Sequence, residues 1–275
     1  MQVIALIVLG WLAGVVVNAL ADYLPYHPYQ RPFRYINDSP RPLLAWSGIL
    51  AFVLNKRKPD IAPDTPPLSW RYPLTEIVVI ILFLMVNQVS PTLPNKSIEQ
   101  YALLLFYMAL LTLITVVDLE HRLIQFVVMI PAIIMGLLDS IVTPFPDLSE
   151  AIRGGLFGFT IFFLLYLGGF GFTYIMGALR GRRITTVAFG FGDVMLITFA
   201  GVLLGVAYTM LAIFIAVFLG AFGAILYLVA RMFMRGGYNF FTAIPYGPYI
   251  VIATLAMLLY GADIWFRVFG YYPAT

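Results

Sequence analysis

The chain has 275 residues, of which 62% are hydrophobic and only 11% are charged, against about 25% charged in an ordinary soluble domain. So few charges cannot cover a soluble fold of this size, which excludes a cytosolic enzyme, a disordered chain and a secreted disulfide scaffold and leaves a polytopic membrane protein. Cysteine is absent, removing disulfides, thiolate nucleophiles and cysteine metal sites, and a net charge of +3 in such a protein reflects basic cytoplasmic loops rather than nucleic acid.

Residues 1–20 open the chain with an apolar run and no basic residue before it. A secretory signal needs a positive start and a small-residue cleavage site, so this run reads as a retained first transmembrane helix. A polar, proline-rich and basic stretch, 22–73, follows as a long loop. Apolar runs resume at 75–93, 101–117, 123–143, 153–177, 193–206, 208–230 and 246–266. With the first, these predict about eight spans in one polytopic membrane domain over 1–275, each near the roughly 20 residues a bilayer needs except the short sixth. No charge marks the turn between the sixth and seventh, in 204–210. The fold class is an all-α integral membrane protein with a long cytoplasmic first loop.

With eight spans, alternate connections share a side. One side collects thirteen basic residues: Arg31, Arg34, Arg41, Lys56, Arg57, Lys58 and Arg71 in the first loop, Arg122, and Arg180, Arg182, Arg183, Arg231 and Arg235. The other collects three, Lys96, Arg153 and Arg267. The basic side is expected in the cytoplasm, with both termini outside. Arg180-Gly181-Arg182-Arg183 then reads as an anchor on anionic lipid.

Most acids fall in loops. Asp118 instead ends an apolar run and begins Asp118-Leu119-Glu120-His121-Arg122, while Asp193 follows Gly190-Phe191-Gly192 and precedes another apolar run. Carboxylates at the edge of hydrocarbon are costly and tend to face a protein interior or a wet cavity. Both fall on the expected cytoplasmic side. Two carboxylates that meet cannot both ionise freely, so one keeps a proton; an acid and a base around one water can hydrolyse an amide. Asp118 equally suits an interfacial turn, and Asp193 a helix N-cap. Asp139 reads as an interfacial or packed residue. Gly190 and Gly192 permit close backbone approach, which suits either a substrate main chain or a simple turn. The alternative from another class is a transporter using membrane carboxylates as a proton or cation relay, which asks for acids in mid-span.

Gly190-Phe191-Gly192-Asp193 resembles the motif of the Gly-x-Gly-Asp aspartyl membrane proteases. Asp118-Leu119-Glu120-His121-Arg122-Leu123-Ile124 resembles the first catalytic segment of the type IV prepilin peptidases, and residues 190–196 the second. Leu68-Ser69-Trp70-Arg71-Tyr72-Pro73-Leu74-Thr75-Glu76 resembles the stretch entering their second span, and Ile244-Pro245-Tyr246-Gly247-Pro248-Tyr249 the motif opening their last. Residues 9–24, with Gly10, Gly14 and Asn18, resemble their first helix. The match follows the chain in order.

This resemblance implies an aspartic endopeptidase of the inner, cytoplasmic membrane that cuts the short basic leader from prepilins or pseudopilins at the cytoplasmic face, after a glycine. It implies Asp118 and Asp193 as the catalytic pair, with Gly190, Gly192 and Glu120 shaping the site or binding substrate. Proteolysis would use no cofactor or metal. Many members also N-methylate the new amino terminus with S-adenosylmethionine; no glycine-rich nucleotide loop is visible here. Many carry paired Cys-x-x-Cys motifs of zinc type in the first loop; this chain has none, and His27 and His121 cannot replace four thiolates. The loop must be held by packing and prolines, or be mobile. Expected partners are the prepilin substrate and membrane lipid, not nucleic acid. Asp118 falls at the C-terminal end of a helix and Asp193 at an N-terminal start, where an anion is favoured, so Asp193 is expected as the base and Asp118 as the acid.

Overall fold

A computed structural model describes residues 2–26, 32–35, 37–59, 64–89, 98–180, 190–233 and 245–271, without the side chains of 176–180 and 230–233. His27, Arg31, Lys96, Arg235 and Ile244, and the side chains of Arg180, Arg182, Arg183 and Arg231, lie outside the described residues.

The elements are α1 (Gln2–Tyr23), α2 (Gly48–Val53), α3 (Arg71–Val89), α4 (Ile98–His121), α5 (Phe126–Val142), α6 (Leu148–Arg180), α7 (Phe191–Phe233) and α8 (Gly247–Phe269), with short 3-10 turns at Leu24–Tyr26 and Leu43–Ala45. Among the described residues no strand forms. Lipid offers no partner to a backbone amide, so apolar runs satisfy their own backbone as helices. Threonines inside them do the same, the hydroxyls of Thr112, Thr198, Thr209 and Thr254 each donating to the carbonyl one turn back.

Six helices, α1, α3, α4, α6, α7 and α8, are long and apolar enough to cross a membrane, and α5 is a shorter apolar helix. A helix forms within each of the eight expected segments, but the sixth and seventh share α7. At 43 residues a straight α7 would reach about 65 Å, twice the roughly 30 Å of a hydrocarbon core. It is interrupted at Gly205 (φ 68°, ψ 179°), a conformation open in practice only to glycine.

The chain divides into two compact units, Met1–His121 and Arg122–Thr275. In the first, α1 lies against α3 and α4. Glu76 of α3 is fully buried. Its carboxylate accepts from the Ser47 hydroxyl (2.7 Å), the Ile49 N–H (3.1 Å), the Gly48 N–H and the Asn18 amide of α1 (3.5 Å). A side chain of a long helix thus caps α2 and docks the first loop. That loop has a small core of Tyr35, Ala45, Ala51 and Leu68, flanked by Phe52 and Tyr72. The Arg57 guanidinium lies 4.1 Å from the Phe52 ring centre and that of Arg41 4.5 Å from Tyr72. Its described part is therefore held by packing and ion pairs.

In the second unit, α6 and α7 meet backbone to backbone. A Cβ on Gly154 would stand 2.3 Å from the Gly201 carbonyl oxygen, and one on Gly158 2.7 Å from that of Ile197. The pairing runs antiparallel, and only small residues allow it. Past the break, α7 runs antiparallel to α8, with Tyr208 against Gly261 and Gly220 against Tyr246.

Glu76→Gln keeps the shape but removes the charge that accepts from Ser47, Gly48 and Ile49. The expected loss is about 1.5–3 kcal/mol of local stability. Hydrogen exchange at 47–53 should accelerate while the long helices stay protected; unchanged exchange there would contradict this role.

Candidate active site

Asp118 belongs to the last turn of α4, whose buried face also carries Leu111, Ile114 and Val117. It is only 5% exposed, and the helix closes three residues later at His121. Glu120 turns to the other side. Arg71, the first residue of α3, reaches Glu120 with Nη1 and Asp22 of α1 with Nη2. Arg41 donates to the same Asp22 carboxylate at 3.3 Å and to the Tyr72 hydroxyl at 2.8 Å. One guanidinium fork thus joins α1, α3 and α4 beside the turn that carries Asp118.

Asp193 lies in the second unit and is 9% exposed. It is the third residue of α7, not the cap residue. Its Oδ2 accepts from the Gly190 N–H at 3.0 Å, and its own N–H donates to the Gly190 carbonyl at 3.1 Å. This reciprocal pair has the logic of a capping box, and it puts a carboxylate in the first turn, where the helix dipole favours an anion.

The two glycines divide in role. A Cβ on Gly192 would lie 2.7 Å from Ile124 Cβ, so this glycine lets the start of α7 close on the extended segment before α5. A Cβ on Gly190 would meet only ordinary contacts, the nearest being Asp193 Oδ2 at 3.7 Å, and Gly190 is exposed.

Aromatic rings, given no role by the sequence reading, gather at the start of α7. Phe191 lies 5.8 Å from Phe126, 5.6 Å from Tyr166 and 6.5 Å from Phe163 between ring centres. Tyr246, at the entry to α8, is also near: burial, and then the charge of Asp193, push its hydroxyl up to about 12. Its only signal in the sequence was a place in the segment that opens the last span. Asp139 and Asp263 lie towards the other end, in the later parts of α5 and α8. Among the described residues no three of His, Asp and Glu come together as a metal set.

Residues 105–225, which include Asp118 and Asp193, match the Type IV leader peptidase family. A protein of Aeromonas hydrophila named prepilin leader peptidase/N-methyltransferase is 28% identical over 198 residues, 72% of this chain and 61% of that protein. Proteins of the same name from Pseudomonas putida and Pseudomonas aeruginosa are 25% and 27% identical, over 72% and 70% of this chain and 62% and 60% of their own length. The chain thus spans less than two thirds of these relatives. No solved structure gives a significant match. Across residues 105–225 the chain is thus similar to the type IV leader peptidase family.

Proposed function

We propose that this protein is an aspartic endopeptidase that removes the basic leader of a prepilin or pseudopilin at the cytoplasmic face of the inner membrane, with both termini outside. The observation that carries the reading is that the family match contains two buried aspartates, one ending α4 and one opening α7. The excess of lysine and arginine on one set of connections supports the orientation. A proton or cation relay would need mid-span acids, whereas Asp118 and Asp193 lie at helix ends, and the matched relatives are named as peptidases.

In this mechanism the substrate's apolar helix enters laterally among the spans, and its leader stays in the cytoplasm. Asp193, held by the Gly190 N–H at the positive end of α7, is the ionised base and takes a proton from water. The hydroxide attacks the scissile carbonyl, and protonated Asp118 donates to its oxygen. The tetrahedral intermediate collapses with the proton passing to the leaving amine. Glu120 shapes the site: Arg71 holds it, so it is not an open anion for the leader. Gly190 is the exposed backbone that the substrate main chain approaches.

The relatives' names include an N-methyltransferase, whose methyl donor would be S-adenosylmethionine. The described polar groups of the first loop do not fit a cradle for it: Asp22, Arg41, Arg71, Tyr72 and Glu76 are engaged with one another or with the loop backbone. No methyl-transfer step is assigned to them.

Asp118→Asn and Asp193→Asn should each insert normally and lose about 10²–10⁴-fold in cleavage, read by N-terminal sequencing of a co-incubated prepilin. Asp139→Asn and Asp263→Asn should cleave as wild type, and turnover near wild type in either of the first two variants would sink the pair. A chelator should leave the fold and the cleavage rate unchanged; loss in chelator with recovery on adding zinc would overturn metal independence. Gly192→Ala should cost about 1–3 kcal/mol through overpacking on Ile124, seen as a lower thermal midpoint. Gly190→Ala should keep that midpoint and raise KM.

A further inference from the structure

Asp193 has a neighbour that no sequence motif singles out as functional. Gly154 opposes Gly201 and Gly158 opposes Ile197 across α6 and α7. Antiparallel helices of equal rise advance in equal steps, so Phe162, one turn further along α6, comes level with Asp193. Phe162 is 1% exposed, and its ring centre lies 6.3 Å from that of Tyr246.

The Tyr246 ring is braced from two further sides. On the returning part of α7, Gly220 leaves the space it occupies, since a Cβ there would stand 2.6 Å from Tyr246 Cε2. Tyr249, one turn into α8, lies 6.1 Å away between ring centres. A ring seated against α6, α7 and α8 at the level of Asp193 cannot swing away without disturbing all three. Its hydroxyl keeps its proton, since burial pushes its pKa up. The other described charges of these helices, Asp139, Glu150, Arg153, Asp263 and Arg267, lie towards their opposite ends, and Arg122 precedes α5.

We propose that Tyr246 is a positioning residue for Asp193: its hydroxyl donates a hydrogen bond to the carboxylate and, with the Gly190 N–H, sets which lone pair faces the attacking water. The consequence for turnover rests on the peptidase reading; the contact itself does not. A neutral phenol suits the task, because it orients the anion without neutralising it as a lysine or arginine would.

The test uses the full-length protein and Tyr246→Phe, which keeps the ring in its seat and removes only the donor. Cleavage of a prepilin should show kcat lower by about tenfold, the size of one hydrogen bond to a charged group, with KM unchanged. In parallel, infrared difference spectra isolate the Asp193 carboxylate band: wild type minus Asp193→Asn, and Tyr246→Phe minus Tyr246→Phe/Asp193→Asn. A shifted band supports the contact, and a merely structural role for the ring would not move it. An unmoved band, or a kcat equal to wild type, overturns the proposal. If Asp193→Asn itself still cleaves, the peptidase reading fails separately, and the infrared band still decides the contact.

Discussion

The close approach of α6 and α7 is the contact on which the second unit depends. In hydrocarbon there is no hydrophobic drive between helices, so association rests on dispersion, and dispersion falls steeply with distance. Gly154 and Gly201 bring two backbones into contact where any side chain would collide with a carbonyl. That contact sets a register, and the register puts Phe162 beside the first turn of α7. The break at Gly205 then returns the chain, so that Gly220 can receive a ring from the start of α8. Asp193 thereby receives neighbours that are far from it in sequence.

The first unit solves a different problem, that of charge beside apolar helices. A buried carboxylate without partners is strongly disfavoured, and removing one member of a buried pair is worse than never having had it. Glu76 meets this by collecting backbone N–H groups at the start of α2, and Arg71 by forking between Asp22 and Glu120. The loop and the helices under it therefore stabilise one another. In a chain without cysteine, the aromatic and guanidinium contacts around Tyr72 and Phe52 help to hold the described part of the loop.

At the start of α7, one short turn serves two purposes. Gly192 gives up its side chain so that α7 can close on Ile124, which is a matter of packing; Gly190 donates its N–H to Asp193 and stays exposed, which is a matter of chemistry. A Gly-x-Gly pair looks symmetrical in a sequence, yet only the second glycine is demanded by space.

Much of the architecture was legible from residue order alone. Long apolar runs in a chain with so few charges have to become helices, because lipid leaves a backbone no other partner, and α1, α3, α4, α6 and α8 lie where those runs lie. Asp118 and Asp193 stood out because an acid at the end of an apolar run is costly and so needs a reason. Gly205 left no such mark, since a left-handed turn between uncharged segments changes neither hydropathy nor charge. Glu120 read as shaping the site or binding substrate, and only the fold supplies Arg71 as its partner. Glu76 and Tyr246 read as parts of a motif without tasks, because their partners are Ser47 and Asn18 in one case and Phe162 and Gly220 in the other. Local composition determines which segments enter the membrane; which side chains meet inside it depends on helix register, set by contacts between residues tens of positions apart.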